Sequence, residues 1–266
     1  MSTWKNFEIQ CTDYLNQKFG KYATFTHQGG SNSTVADILV SSKSGKNFYI
    51  EVKHSPAQCG QFVLLPDTNY KNFIYSNNNT HPINDFSSNI LHHMNLEFDF
   101  FSNAGTSGKD IIFENCKTVF YNWINEYYTS KNVKFFITNK FKIIPIDSVL
   151  NNFDIFAKYR TKRSGSSSVG KRNSTVIQEY IKNDPELNKT ISTINLIGNK
   201  LFVSSNKDIS NMKLYYGNSE YMFALRDNNY ELRRLSNTHN SNVIFSIKLK
   251  NSANGISDAE FIEYIN

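Results

Sequence analysis

Three charged residues near the start of the chain, Asp37, Glu51 and Lys53, have types and spacing that could carry out chemistry. Side chains alternate along a β-strand, so Glu51 and Lys53 would share one face of a strand that contains both. If an antiparallel hairpin pairs Val40 with Phe48, Asp37 lies directly opposite Glu51. Opposed residues have Cβ atoms about 4.5–5.5 Å apart, and like charges there destabilise a sheet. The pattern therefore predicts a hard divalent cation between the carboxylates, beside a lysine.

The hairpin is indicated by two short apolar stretches, VADILV (Val35 to Val40) and FYIEVK (Phe48 to Lys53), with a loop from Ser41 to Asn47 between them. An ordinary exposed strand face with a cross-strand ion pair is the alternative interpretation of its charged residues. Two opposed acids are a poor choice for stability alone, and the flanking strands are too apolar for a freely solvated sheet. The catalytic interpretation is therefore favoured.

Glu8 could bring a further carboxylate to this site. Phe7, Cys11 and Leu15 recur at helical spacing and predict an amphipathic helix from Trp4 to Phe19. Glu8 falls on the apolar stripe of that helix, and a buried carboxylate without a partner is costly. A metal centre near the hairpin and a structural salt bridge explain its position equally well.

An acidic residue on one strand, a hairpin turn and an E-x-K triplet on the next strand, preceded by a helix with a glutamate, resemble the core of the PD-(D/E)XK nuclease superfamily. The matching residues, in ADILV and IEVK, are Asp37, Glu51, Val52 and Lys53. Ala36 replaces the proline of the family name. Gln61, in GQFVL, matches a glutamine that some members place near the active centre.

The resemblance implies a fold and a site. The fold would be α/β, a restriction-endonuclease-like core with a mixed β-sheet flanked by helices, plus a β-rich C-terminal region. Asp37, Glu51 and the carbonyl of Val52 would ligate Mg²⁺, and Lys53 would orient or help deprotonate the attacking water. Such a site can generate a nucleophile near neutral pH and stabilise charge on phosphate oxygens.

The function that this resemblance implies is Mg²⁺-dependent, site-specific hydrolysis of double-stranded DNA by a type II restriction endonuclease. The products would carry a 5′-phosphate and a 3′-hydroxyl. A palindromic target would favour a homodimer, and a cognate methyltransferase is expected in the same system. The alternatives are a repair or recombination nuclease of the same superfamily and a non-catalytic DNA-binding protein whose carboxylates are structural.

A basic segment indicates where DNA could bind. The chain has a formal net charge of +6, and residues 158–172, KYRTKRSGSSSVGKR, hold six basic residues and no acidic one. Concentrated positive charge is typical of polyanion-binding surfaces, although a solvated flexible loop is the alternative. The polar loop that leads to Asp37 could also touch the DNA backbone. The candidate DNA-binding residues are Arg160, Lys162, Arg163, Ser164, Ser166, Lys171, Arg172, Ser31 and Asn32.

The change in character near residue 155 suggests two regions. Residues 1–155 would form the catalytic core, and residues 156–266 a β-rich DNA-recognition region, although the two could share one hydrophobic core. In the first region Ile111 to Tyr128 is expected to be a helix, and VKFFIT and FKIIPI core strands. In the second a helix is expected around Ser174 to Lys182.

Composition excludes several classes of protein. The 266 residues, 39% of them hydrophobic, fit an ordered globular chain. Neither a signal peptide nor an apolar run of about 18 residues is present, so a cytoplasmic protein is expected. The three cysteines form no CxxC pair and argue against disulfides or structural zinc.

Overall fold

The computed structural model describes residues 3–29 and 35–266, with side chains from residue 5 onward. The chain forms two compact units. Unit 1 consists of Met1–Arg160 and Ser241–Asn266, and unit 2 of Thr161–Asn240. The division therefore differs from the expected one at residue 155, because the last strand returns to pair inside unit 1, an event that local composition does not encode. Among the described residues, no helix is long and apolar enough to cross a membrane.

The described part of the chain contains eight α-helices. They are α1 (Thr3–Phe19), α2 (Asp85–Leu96), α3 (Phe98–Ser102), α4 (Cys116–Ser130), α5 (Val149–Asn152), α6 (Lys171–Asn183), α7 (Pro185–Thr190) and α8 (Asp258–Ile265).

Sixteen strands accompany them in the same part of the chain. They are β1 (Ala23–His27), β2 (Ile38–Ser42), β3 (Asn47–Lys53), β4 (Ala57–Asp67), β5 (Asn72–Tyr75), β6 (Lys109–Asp110), β7 (Val133–Thr138), β8 (Lys142–Pro145), β9 (Phe153–Arg163), β10 (Ser166–Ser168), β11 (Ile191–Ile197), β12 (Lys200–Ser205), β13 (Lys213–Tyr216), β14 (Ser219–Arg226), β15 (Asn229–Leu235) and β16 (His239–Leu249).

The first sheet of unit 1 has the order β1-β2-β3-β7-β8 and is mixed. Strands β3 and β7 run parallel, whereas the other three pairs are antiparallel. The register of β2 and β3 pairs Val40 with Phe48, as expected from the sequence. The loop is shorter than expected, because Ser41 also pairs with Asn47.

Alternation along β3 buries one set of its side chains on each side of the first sheet. Phe48 and Ile50 pack on one side with Leu15 of α1 and Phe261 of α8. Tyr49 packs on the other side, against a cluster that includes α4 and the second sheet of unit 1. Helices therefore flank the mixed sheet, and the predicted α/β class is confirmed.

The second sheet of unit 1 has the order β5-β4-β16-β9-β6. It contains β4 and β5, from a segment for which the sequence yields no prediction, and β16, from near the end of the chain. Helix α4 begins at Cys116 rather than at Ile111. Asn115 adopts a left-handed conformation (φ 59°), and the amide of Ile111 donates to the carbonyl of Ala157 on β9, 2.9 Å away.

Unit 2 is built on a third sheet with the order β11-β12-β15-β14-β13, to which β10 adds on β15. Its core contains Ile177 of α6 together with Val203, Phe223 and Leu232 of the sheet. This cluster lies wholly within unit 2, so unit 2 has a core of its own, whereas the end of the expected β-rich region, such as Phe245, packs in the core of unit 1. The helix expected around Ser174 to Lys182 is α6.

The basic segment is not the continuous loop that its serines and glycines suggested. Its first part is the end of β9, and Ser166–Ser168 form β10. Ser167 pairs with Arg234 of β15 in an antiparallel register. Serine has a weak intrinsic preference for strands, so this short strand depends on its partner β15 rather than on its own composition.

Candidate active site

One cavity of unit 1, with a volume of about 730 Å³, collects most of the expected catalytic side chains. Its lining includes the predicted residues Asp37, Glu51, Lys53 and Gln61. Strand β3 contributes two of them because Glu51 and Lys53 alternate with Ile50 and Val52, which face the α1 side of the sheet. The remaining walls come from β4, from residues 78–81 and from α4.

Asp37 directly precedes β2, at the position that the hairpin register places opposite Glu51. The backbone N–H of Val52 donates a 2.8 Å hydrogen bond to Oδ2 of Asp37. This bond fixes the carboxylate over β3, so Val52 contributes its amide to the site. Its carbonyl stays a predicted ligand.

Burial, and then the charge of Glu51, raise the pKa of Asp37 to about 7. The charge of Lys53 and the hydrogen bond from Val52 oppose this shift but do not cancel it. The carboxyl group of Asp37 thus lies in partly buried, negatively charged surroundings, where a nearby cation would stabilise its ionised form.

Lys53 supplies part of that positive charge. Its Nζ atom donates to Oε1 of Glu51 at 2.8 Å, and the residue is only 9% exposed. Burial disfavours the charged form, but the attraction of Glu51 and neighbouring groups outweighs it and raises the pKa of Lys53 above its ordinary value. Lys53 is therefore an ammonium group here, better suited to orienting oxygen atoms than to accepting a proton.

The oxygen atoms of this cavity fit a hard divalent cation. In the described part of the chain no group of three or more His, Cys, Asp or Glu residues could hold a metal ion. Mg²⁺ does not need such a group, since it binds through one or two carboxylates and fills its other positions with water and phosphate oxygens. Asp37, directly before β2, and Glu51, on the neighbouring strand β3, match that requirement.

Glu8 lies 8% exposed on α1, with its Oε2 atom 3.0 Å from Nε2 of His27 at the end of β1. A Cβ atom on Gly29 would collide with the side chains of Glu8 and His27, so the backbone can lie this close to them only with glycine at this position. The charge of Glu8 also contributes to the raised pKa of Asp37, after burial and Glu51. Of the two interpretations of Glu8, the structure supports the one in which its carboxylate has a partner side chain, here His27. The charge of Glu8 nevertheless reaches Asp37 at the hairpin.

Gln61 lies on β4, where its side-chain oxygen accepts hydrogen bonds from Gln58 and Asn242, each at 3.2 Å. Gln61 lines the cavity, and its role near the active centre stays a prediction. His54, by contrast, packs its ring 4.7 Å from that of Phe7, on the α1 side of the first sheet.

Sequence reasoning missed the wall that α4 contributes. Tyr127, Tyr128 and Lys131 line the cavity, and so does His81, whose Nε2 lies 3.4 Å from Oε1 of Glu126. The hydroxyl of Tyr128 donates to Oε1 of Glu51 at 3.3 Å. In sequence these tyrosines lie on the apolar face of a helix, and nothing in their spacing distinguishes them from ordinary core residues.

The candidate DNA-binding residues fall into three groups. Arg160 and Arg163 are half-buried, and Arg163 forms an ion pair with Glu220. Ser164 bonds with Ser236 and Thr238, and Ser166 accepts from Arg233. The exposed basic residues are Lys162, Lys171 and Arg172, and Ser164 and Ser166 are exposed as well. Ser31 and Asn32 lie outside the described residues.

A solved structure, HhaI endonuclease in complex with DNA, is similar to this chain. The two sequences are 36% identical, and the match covers 99% of this chain and 99% of that chain with a TM-score of 0.80. Searches against protein-family models and against curated proteins give no match. The likeness extends over both units.

Proposed function

Because this chain belongs to the type II restriction endonucleases, a class of site-specific deoxyribonucleases, we propose that it hydrolyses phosphodiester bonds of double-stranded DNA with Mg²⁺ as its cofactor. The ends it leaves would be a 5′-phosphate and a 3′-hydroxyl. The single observation that carries this proposal is the convergence in one cavity of Glu51 and Lys53 from β3 and of Asp37 from just before β2.

Each of these residues has a role that its surroundings support. Asp37, held by the amide of Val52, and Glu51 would hold the cation, together with the carbonyl of Val52. When bound, Mg²⁺ activates water and stabilises negative charge on the phosphate. The ammonium of Lys53 would donate to the attacking water or to a phosphate oxygen. The cavity wall around Gln61 would limit how the scissile phosphate enters.

Glu8 would act indirectly. Its charge reaches Asp37, and its 3.0 Å polar contact with His27 would hold the end of β1 beside the hairpin. We therefore propose that Glu8 supports the shape and charge of the site rather than contacting DNA.

DNA recognition would use the basic segment. The similar protein is described as a complex with DNA, and in this chain Lys162, Lys171 and Arg172 are exposed. We propose that these residues contact phosphates, and that Arg160, Arg163, Ser164 and Ser166 contribute contacts of their own, as would Ser31 and Asn32 in the polar loop. A palindromic target would be bound by a homodimer, and a methyltransferase that modifies the same sequence would protect the host DNA.

The direct test is to incubate the purified protein with plasmid and phage DNA and Mg²⁺, and then to sequence the fragment ends. Discrete fragments with 5′-phosphates at one repeated sequence are expected. A sequence-independent smear would instead indicate a repair or recombination nuclease of the same superfamily.

Lys53→Ala separates an enzyme from a pure DNA-binding protein. The variant should lose cleavage in Mg²⁺, while its binding to the same DNA in Ca²⁺ remains. Lys43→Ala, in the exposed turn of the same hairpin, is the matched control and should cleave normally. Cleavage by Lys53→Ala at the wild-type rate would contradict the proposed role of this cavity.

A further inference from the structure

The side chain of Tyr128 is held rigidly in the wall of the cavity. Tyr128 lies in α4 and is 3% exposed. Its ring packs edge-on against Phe136 and Tyr127, with centroid distances of 5.0 Å in both cases. Phe136 belongs to β7 and is the parallel register partner of Glu51 on β3. Helix α4 is therefore fixed over the strand that carries the Glu51 carboxylate.

The hydroxyl of Tyr128 contacts one oxygen of Glu51 and also the thiol of Cys59. It donates to Oε1 at 3.3 Å, and Nζ of Lys53 donates to the same atom at 2.8 Å. The Lys53 ammonium also lies 5.5 Å from the centre of the Tyr128 ring. Since both of these donors use Oε1, a cation would bind through the other oxygen, Oε2.

A neutral donor has a particular advantage at this position. Two hydrogen bonds to Oε1 restrict rotation of the carboxylate, but only the one from Lys53 brings positive charge. A second cationic side chain would compete electrostatically with a divalent ion for Glu51. A tyrosine hydroxyl orients the carboxylate and leaves its negative charge in place.

We propose that Tyr128 is a positioning residue that orients Glu51 for cation binding and holds Lys53 beside it. This inference rests on the proposed function of the cavity. Hydrogen-bond partners of metal ligands characteristically affect both metal affinity and activity, because they fix the ligand oxygen in the required direction. Tyr128 acts through Glu51 and is not expected to touch DNA.

Tyr128→Phe removes only the hydroxyl oxygen, and Tyr121→Phe is its matched control. Tyr121 lies in the same helix, and its hydroxyl donates to the carbonyl of Asp147 at 2.7 Å, away from the cavity. Three quantities are measured for each variant: the single-turnover cleavage rate of plasmid DNA in Mg²⁺, the Ca²⁺ concentration that gives half-maximal DNA binding by fluorescence anisotropy, and the melting temperature.

For Tyr128→Phe we expect cleavage to slow by about 10- to 100-fold and the required Ca²⁺ concentration to rise by about 10-fold. DNA affinity in saturating Ca²⁺ and the melting temperature should match those of Tyr121→Phe, which should behave like the wild type. Loss of a purely structural tyrosine would not raise the Ca²⁺ requirement while leaving the melting temperature and the DNA affinity unchanged.

Two results would overturn the inference alone. One is a Tyr128→Phe protein with the wild-type rate and Ca²⁺ requirement. The other is a variant that unfolds, which would assign the hydroxyl to folding, or one whose DNA binding is lost even in saturating Ca²⁺, which would assign it to DNA binding. If the wild-type protein itself does not cleave DNA in Mg²⁺, the proposed function fails first, and this inference fails with it.

Discussion

Asp37 and Glu51 illustrate how a single pair of residues can oppose stability and favour function. Both side chains line one partly buried cavity, and burial followed by the charge of Glu51 raises the pKa of Asp37 to about 7. The hydrogen bond from Val52 and the ammonium of Lys53 offset only part of this repulsion. The unliganded site is therefore destabilising for the fold, as is common where a protein is prepared for a ligand.

Asp37→Asn is expected to stabilise the metal-free protein while it abolishes cleavage. The amide keeps an oxygen that can accept the hydrogen bond from Val52 but removes the negative charge that Glu51 repels. Thermal unfolding in EDTA near neutral pH should show a gain of about 0.5–2 kcal/mol in the free energy of unfolding. Asp99→Asn, at an exposed position, should shift it by less than about 0.5 kcal/mol. A destabilised Asp37→Asn protein would argue against repulsion in this cavity.

At the scale of an element, strand β4 contains a bulge beside the cavity of the candidate active site. Gln61 pairs with Ile244 and Gln58 with Ser246, so β4 has one more residue than β16 over this stretch. Gly60 lies within the bulge at φ 102°, and a Cβ atom there would come within 2.7 Å of the Trp123 ring. Glycine is needed here for both reasons.

Gly60→Ala should therefore destabilise the protein, by about 1–3 kcal/mol, through backbone strain and the close approach to Trp123. Gly105→Ala is the matched control, since an added Cβ at Gly105 would meet nothing within 4 Å. Urea unfolding of the two variants gives the comparison. Equal urea midpoints for Gly60→Ala and Gly105→Ala would show that β4 tolerates a side chain at the bulge.

In unit 2, strand β15 carries a buried carboxylate that is paired with two arginine side chains. Glu231 is 2% exposed, and it accepts from Arg233 at 2.8 Å and from Arg226 at 3.3 Å. Burial opposes its ionisation, but hydrogen bonds from Arg233 and its other partners prevail and lower the pKa of Glu231. The charged form of Glu231 therefore stabilises the folded state.

Glu231→Gln should lower the free energy of unfolding by about 1–3 kcal/mol at neutral pH, because the guanidinium groups of Arg233 and Arg226 lose their anionic acceptor. Since the folded pKa lies below the ordinary value of 4.5, this stabilisation is present above pH 4.5 and is lost as the pH falls through the folded pKa. The difference from the wild type should thus shrink below pH 4.5 in thermal unfolding curves. Glu186→Gln, at an exposed pair, should have almost no effect at any pH.

At the scale of the whole molecule, positive charge is concentrated in one stretch of sequence. The net charge of +6 equals the number of basic residues in residues 158–172, where there is no acidic residue. Arg163 is already paired with Glu220, so the exposed residues Lys162, Lys171 and Arg172 are the stronger candidates for binding phosphates.

Replacing Lys162, Lys171 and Arg172 together with alanine should weaken DNA binding uniformly across sequences. The slope of the logarithm of affinity against the logarithm of salt concentration should decrease by about 1 for each phosphate that the variant no longer neutralises. The measurement is a salt titration of DNA binding in Ca²⁺. Alanine at Lys189, Lys200 and Lys207 removes the same charge elsewhere on unit 2 and should leave the slope nearly unchanged. An equal decrease in both triple variants would show that only net charge matters.

The sequence by itself determined the local parts of this protein. The hairpin and the shared face of Glu51 and Lys53 follow from strand alternation over fewer than twenty residues, whereas the register that pairs Val40 with Phe48 is an assumption that the structure confirms. Helices α1 and α6 follow from apolar spacing in the same way. In these segments the pattern of apolar and polar residues over a short stretch of chain is enough to predict the strand or helix.

Only the tertiary structure decided what surrounds the hairpin. Tyr128 meets Glu51 across 77 positions of sequence, and Gln61 meets Asn242 across 181. The short strand β10 exists because β15 pairs with it, and the end of the chain returns to unit 1 because β16 pairs with β4. Periodicity records which face of an element is apolar but not which element covers it. That choice depends on packing and hydrogen bonding between distant segments, which form only when the whole chain folds.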